Sequence, residues 1–234
     1  MSSPPMCARL VIVPDARVDI LWDGHDLIVA GPDTGPAIAH VPAGAAVIGF
    51  QLRPAAASAW LRVSMNELCD RRVALSEFVG ARAHDMIARA RDANDASQAL
   101  AELQGGLARA LADAPPPDSR LQGLYARLQR GAGEAGCELA RFARDMGLSE
   151  RSMRRHCVEA FGYGPRTLAR ILRFGRFMDA MRAGRGFALA ELAGELGYAD
   201  QAHMSREVAS FSGWPPGEVR RQIDGGLADS FKTP

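Results

Sequence analysis

Arg151, Arg154 and Arg155 fall, with Glu150, on one side of a helical run whose other side is Met153, Cys157, Ala160 and Phe161. A guanidinium forks two N–H donors and matches O6 and N7 of guanine; each good pair of that kind contributes about 1–3 kcal/mol of base discrimination. For any one of these arginines the plainer alternative is a phosphate contact or a surface ion pair. A second set of polar and aromatic residues lies near the N-terminus: Arg17, Trp22, His25, His40 and Arg53 are candidates for contact with a small-molecule effector. Each is more commonly a surface or core-edge residue. His25 and His40 stand alone, without a second His or a Glu at ligand spacing, which disfavours a metal. Asp15 and Asp19 are four apart, but turn formation explains Asp15 as well as a cation would. No Gly-x-Ser-x-Gly elbow and no phosphate loop occur, so no cofactor and no catalytic set is expected.

The elements that must hold the arginines are helices. Leu139, Phe142, Ala143 and Met146 recur at helical spacing. Gly147 interrupts the run, and Ser149 stands where an N-cap belongs. Helix, short turn and helix follow, with small Ala143 where the two would cross. These are the steric needs of a helix-turn-helix unit, whose second helix lies in the DNA major groove. About fifty residues on, the pattern returns: Leu192, Ala193 and Leu196, then Gly197, then Asp200 as a second N-cap. Met204, Val208 and Phe211 form the inward stripe of a second recognition helix. Pro165 to Arg182 reads as one connecting helix, with Leu168, Ile171, Leu172, Gly175 and Met178 inward and Pro165 suited to its first turn.

The charge is unevenly spread. Residues 120–222 hold 17 Arg against 11 acidic residues, and residues 1–119 hold 10 Arg against 14, so balances of +6 and −4 sit inside a net charge of +1. The positive half is the half with the tandem motif, as a DNA binder requires. Bulk composition is ordinary for a globular protein, at 47% hydrophobic and 24% charged residues. No apolar run approaches the ~20 residues of a membrane span, and the first residues lack the charged and apolar regions of a signal peptide. Cys7, Cys69, Cys137 and Cys157 form no Cys-x-x-Cys pair, so a reducing cytoplasm fits best.

The tandem motif resembles the AraC family of bacterial transcription regulators across roughly residues 137–221. The matching residues are Leu148-Ser149 with Arg155, and Gly162-x-x-Pro165 opening the linker helix. The second unit adds Leu192-Ala193-x-x-x-Gly197-Tyr198-x-Asp200-Gln201 with Arg206, closed by Gly213-x-x-Pro216-x-x-x-Arg220. Cys157 departs from the family's larger aromatic, implying a thinner core there. The resemblance places base-reading positions on Arg151, Arg154 and Arg155 of the first helix and on Gln201, Ala202, His203 and Arg206 of the second. Gln suits adenine, and Arg suits guanine or phosphate. Arg206 has the alternative of pinning helix to helix, and His203 that of a half-exposed neutral residue.

The N-terminal half reads as short strands at 9–13, 18–22, 27–30, 37–41 and 46–52, each closed by Pro, Gly or Asp turn residues, with Asp23-Gly24 a hairpin signal. That spacing predicts a small antiparallel barrel or sandwich. Its order also resembles the β-barrel sensor half of one AraC subgroup, through Pro14-Asp-x-x-Val-Asp19-Ile-x-Trp22, Ala30-Gly-Pro-Asp-Thr34 and Gly49-Phe-x-x-x-Pro54. A short helix is expected at 54–61, a turn at 66–68, and amphipathic helices at 75–93 and 96–112. Leu100, Leu103, Leu107 and Leu111 form a stripe on the last, serving either its own chain's core or a homodimer interface. Ala114-Pro-Pro-Pro-Asp118 is a stiff linker.

The expected fold is thus α+β in two domains: an antiparallel barrel or sandwich with flanking helices over residues 1–113, then, after the linker at 114–118, an all-α tandem helix-turn-helix domain over 119–224 and a flexible tail at 225–234. Residues 121–129 would be the first helix of that second domain and 131–136 its loop. The expected function is sequence-specific binding of double-stranded promoter DNA, with a possible effector in the first domain and RNA polymerase as a further partner. The rivals are an architectural DNA binder without sensing and an enzyme built on the barrel, for which no acid–base or metal set is found.

Overall fold

The computed structural model describes residues 7–42, 47–131, 135–184 and 188–224. Part of the turn expected after residue 41, the middle of the loop expected at 131–136 and the tail expected at 225–234 lie outside them. Among the described residues the first half holds six strands. β1 (Cys7–Ile12) pairs antiparallel with β4 (Ala37–Pro42) as a two-stranded sheet. β2 (Asp19–Trp22), β3 (Leu27–Ala30), β5 (Ile48–Gln51) and β6 (Arg72–Ala74) make a second sheet in the order β5-β2-β3-β6. The first five are the expected strands. Among the described residues they do not close into a barrel: β1 and β4 pair only with each other, so the barrel expectation gives way to two separate sheets. The hairpin at Asp23-Gly24 is present. Trp22 faces Leu27 across it, and the Asp23 carboxylate accepts from the His25 and Asp26 amides at 2.8 Å each. β6 escapes sequence reading because it is three residues long with one β-branched side chain, Val73.

Strand alternation builds the first core. Val18, Ile20, Trp22, Leu27 and Val29 are buried against α1 (Ala56–Leu61), α3 (Ala81–Arg91) and α4 (Ala96–Ala112). The helix expected at 75–93 is broken: α2 (Ser76–Val79) stops at Gly80, whose φ of 56° and ψ of −129° no helix accepts, and α3 starts afresh. α4 has the expected limits, with Asp95 capping it by accepting from the Gln98 amide. Its stripe packs inside the chain. Leu103 and Leu107 are buried with Ala83, Met86 and Ala90 of α3, Leu111 is partly buried there, and Leu100 is half-buried. The Trp60 indole donates to the Ala110 carbonyl at 3.1 Å, fastening α1 to α4.

Seven helices follow among the described residues. α5 (Ser119–Arg130) and α6 (Ala135–Asp145) precede α7 (Glu150–Phe161), α8 (Pro165–Arg182), α9 (Leu189–Glu195), α10 (Gln201–Ser212) and α11 (Pro216–Asp224). α6 begins at Ala135, inside the loop expected at 131–136. The inward residues of α8 include Leu168, Ile171, Leu172 and Met178 as expected, plus Phe174 and Phe177 at 0% exposure. Gly175 is a correction: it is half-exposed, and a Cβ there would meet nothing.

The second core reaches back into the first half. Val11, Val13, Ala16 and Ala55 belong to the same buried cluster as Leu124, Tyr125, Phe161 and Tyr163. α1 and the short 3-10 turn Met65–Glu67 lie against α7. At this seam a Cβ on Gly162 would stand 2.6 Å from the Cys69 sulfur and 2.7 Å from Pro32 Cγ, so only glycine fits.

Candidate nucleic-acid interface

The two helix-turn-helix units share one turn geometry. In the first, Leu148 N–H donates to the Ala143 carbonyl at 2.8 Å and Gly147 N–H to Arg144 at 3.1 Å. In the second, Tyr198 N–H donates to Ala193 at 2.9 Å and Gly197 N–H to Gly194 at 3.1 Å. This six-to-one and five-to-two pattern is the Schellman stop, and it needs a left-handed residue at the glycine. Gly147 and Gly197 supply it, with φ of 61° and 76°. Ser149 Oγ then accepts from the Ser152 amide at 3.2 Å, and Asp200 Oδ1 from the His203 amide at 2.6 Å, starting each second helix. Both second helices end on left-handed glycines, Gly162 and Gly213.

These turns present one apolar face inward and one polar face outward. On α7, Met153, Cys157, Ala160 and Phe161 are buried, whereas Arg151, Arg154 and Arg155 are exposed. Cys157 is wholly enclosed, and burial pushes its thiol up to about 12. On α10, Met204, Val208 and Phe211 are buried while Gln201, Ala202 and Arg206 are exposed. His203 is held back: its ring meets Tyr198 edge-on at 5.4 Å between centroids, and its Nδ1 lies 3.5 Å from the Ala199 amide. Sequence reasoning missed Glu207, which is 4% exposed yet charged. Its position three residues after Met204 put it on the inward face, and an acid there demands a partner. Arg170 and Arg173 of α8 are those partners.

α8 carries both units. Its 18 residues span about 27 Å at ~1.5 Å per residue, somewhat less than one ~34–36 Å turn of duplex. It packs against α5, α6 and α7, which precede it, and α10 and α11, which follow it.

The five effector candidates do not converge. Arg17 is half-buried and donates through Nε to the Tyr125 hydroxyl at 3.2 Å and through Nη1 to Gln51. Trp22 is 4% exposed in the first core. His25 is exposed in the hairpin, where its carbonyl accepts from Arg91. His40 is exposed on β4, and Arg53 is exposed before α1. Arg17 lines a small cavity of about 90 Å³ between the halves, together with Val13, Tyr125, Phe174, Arg176 and Arg182. Among the described residues, no three His, Cys, Asp or Glu side chains gather as metal ligands, and no helix is long and apolar enough to cross a membrane.

Comparison with known proteins agrees with this geometry. Residues 142–222 match a family described as a helix-turn-helix domain, and residues 2–74 match a domain of unknown function. No curated protein matches the chain. Among solved structures, the chain is similar to ToxT from Vibrio cholerae O395 bound to (E)-4-(8-methylnaphthalen-1-yl)but-3-enoic acid, at a TM-score of 0.50 and 9% identity, covering 94% of this chain and 96% of that one. A second ToxT structure from the same strain gives 0.47 at 12% identity over 93% and 89%. Unsaturated fatty acid bound wild-type ToxT from strain SCE256 gives 0.44 at 9% identity over 96% and 99%. Residues 142–222 are an AraC-type helix-turn-helix domain.

Proposed function

We propose that this chain, a DNA-binding transcription regulator, reads two half-sites on one face of promoter DNA, with α7 and α10 in successive major grooves. The observation that carries this is the pair of exposed polar faces, Arg151, Arg154 and Arg155 on α7 and Gln201, Ala202 and Arg206 on α10, fixed to one continuous α8. In this account Arg151, Arg154 and Arg155 contact guanine edges or phosphates, Gln201 an adenine, and Arg206 a guanine or phosphate. His203, turned back onto Tyr198, shapes the start of α10 more than it reads a base. The division is placed at 114–118, with residues 1–113 as the regulatory half and 119–224 as the DNA-reading half. RNA polymerase and a second copy of the chain are the further partners, and the cytoplasm is the place of action. No reaction is assigned.

The test is selection from a randomised duplex library by the full chain. A bipartite consensus is expected, with Arg154→Ala relaxing preference at one or two positions of one half. Equal binding to random duplex at matched salt sinks the proposal and leaves an architectural binder.

Control by a small molecule is the second part of the proposal. It draws on the fold shared with ToxT, a protein solved with an aromatic carboxylic acid, and on the arginine-bearing cavity at the seam between the halves. A ligand that favours one arrangement of the halves would change DNA affinity by its differential affinity for the two arrangements. Thermal-shift screening with apolar carboxylates reads this directly. No stabilisation by any of them counts against it.

A further inference from the structure

Glu207 sits on α10 beside Arg206, but its side chain points the other way and is 3% exposed. Both carboxylate oxygens are engaged by α8. Arg173 donates from Nε to Oε1 at 3.0 Å and from Nη2 to Oε1 and Oε2 at 2.8 and 2.9 Å, and Arg170 donates from Nε to Oε2 at 2.7 Å. Arg173 also donates from Nη1 to the Gly197 carbonyl, in the turn of the second unit, and lies 4.1 Å over the Tyr198 ring. Three residues further along α8, Arg176 donates to the Leu128 carbonyl of α5 at 2.6 Å. One row of arginines on the linker helix therefore grips the recognition helix and turn of one unit and the first helix of the other half of the domain.

An apolar helix contact tolerates small slides and rotations, because dispersion and area burial have no direction. A planar guanidinium on a planar carboxylate tolerates far less. Buried ionic pairs contribute little net stability over an apolar substitute, and their best attested role is fixing register. Resting on the two-half-site account above, we infer that Glu207 and Arg173 are positioning residues that set the pitch between α7 and α10. They thereby select the base-pair spacing between the half-sites, without touching DNA.

The experiment takes the duplex selected by the wild-type full chain and a copy with one base pair inserted between the half-sites. The insertion rotates one half-site by about 34°. Wild type should bind the inserted duplex on the order of tenfold more weakly. Glu207→Gln, which keeps shape and removes charge, should shrink that ratio to about threefold or less, while the single-base preference profile under α7 stays as in wild type. The paired Arg173→Met/Glu207→Met change removes both partners and covers the case in which the single variant does not fold. A ratio unchanged in a folded variant overturns the inference, as does spacing tolerance gained only together with lost base preference. If both variants fail to fold, the pair is a folding element and the inference is wrong. If the wild type selects no sequence, the two-half-site account fails first and this inference with it.

Discussion

The Nε of Arg17 lies 3.2 Å from the hydroxyl of Tyr125, which in turn lies 3.4 Å from the Asp15 carbonyl. The segment entering β2 is thereby bonded to α5, the first helix of the helical half. A double-mutant cycle of Arg17→Ala and Tyr125→Phe should show a coupling of about 0.5–1.5 kcal/mol, the usual net worth of one such bond. Equilibrium urea unfolding measures it. Strict additivity would mean the bond contributes nothing to stability.

The neighbouring phenol behaves oppositely. The Tyr163 hydroxyl is buried with no hydrogen-bond partner among the described residues. A buried unpaired hydroxyl costs about 1–3 kcal/mol. Tyr163→Phe should therefore leave stability unchanged or raise the midpoint, whereas Tyr125→Phe lowers it by about 1 kcal/mol. A loss at Tyr163 equal to that at Tyr125 would reveal a partner for it.

Glycine substitutions separate local backbone cost from the cost at the seam. Gly197→Ala meets no neighbour and carries only the left-handed penalty of about 1–2 kcal/mol. Gly162→Ala carries that penalty and also drives a methyl to 2.6 Å from Cys69. It should cost at least about 1 kcal/mol more, read as a larger fall in urea midpoint at constant m.

High pH should unfold the chain in a tyrosine-linked step. Its three tyrosines, Tyr125, Tyr163 and Tyr198, all have hydroxyls raised above the usual 10 by burial. The folded state then keeps protons that the unfolded chain releases. Stability is fully present below pH 10 and falls as pH climbs above it. Absorbance at 295 nm should show phenolate appearing together with loss of helix by circular dichroism. Phenolate appearing near pH 10 with helix intact would contradict the buried placement.

Cys69 reports on the seam. Its thiol donates to the Gly162 carbonyl at 3.2 Å and is pushed up to about 11, by burial first and then by Asp70 and Asp33. At pH 8 exposed Cys137 should alkylate well before Cys69. Any effector that parts the halves should speed labelling at Cys69 while leaving buried Cys157 protected, as site-resolved mass spectrometry would show.

The helical half was legible because its signals are local. Caps, Schellman glycines and inward stripes occupy neighbouring positions, and each predicts a bond within one turn of chain. Gly175 was misjudged for the converse reason, since a residue without a side chain carries no sign of the face it occupies. Sheet closure depends on pairings between distant strands, which alternation of Ile20, Trp22, Leu27 and Val29 does not specify; the same pattern serves a barrel or two separate sheets. The exposed arginines of α7 could be placed from Met153 alone. Glu207 could have been found from its spacing to Met204, but its partners on α8 lie 34 and 37 residues away, and only the folded chain brings them together.

Val11, Val13, Ala16 and Ala55 lie across the linker from the core they help to fill. Cutting the chain at Ser119 would strip that lining from Leu124, Tyr125 and Phe161 and leave an oily scar facing solvent. A helical fragment prepared this way should be stickier and less stable than the same helices within the whole chain.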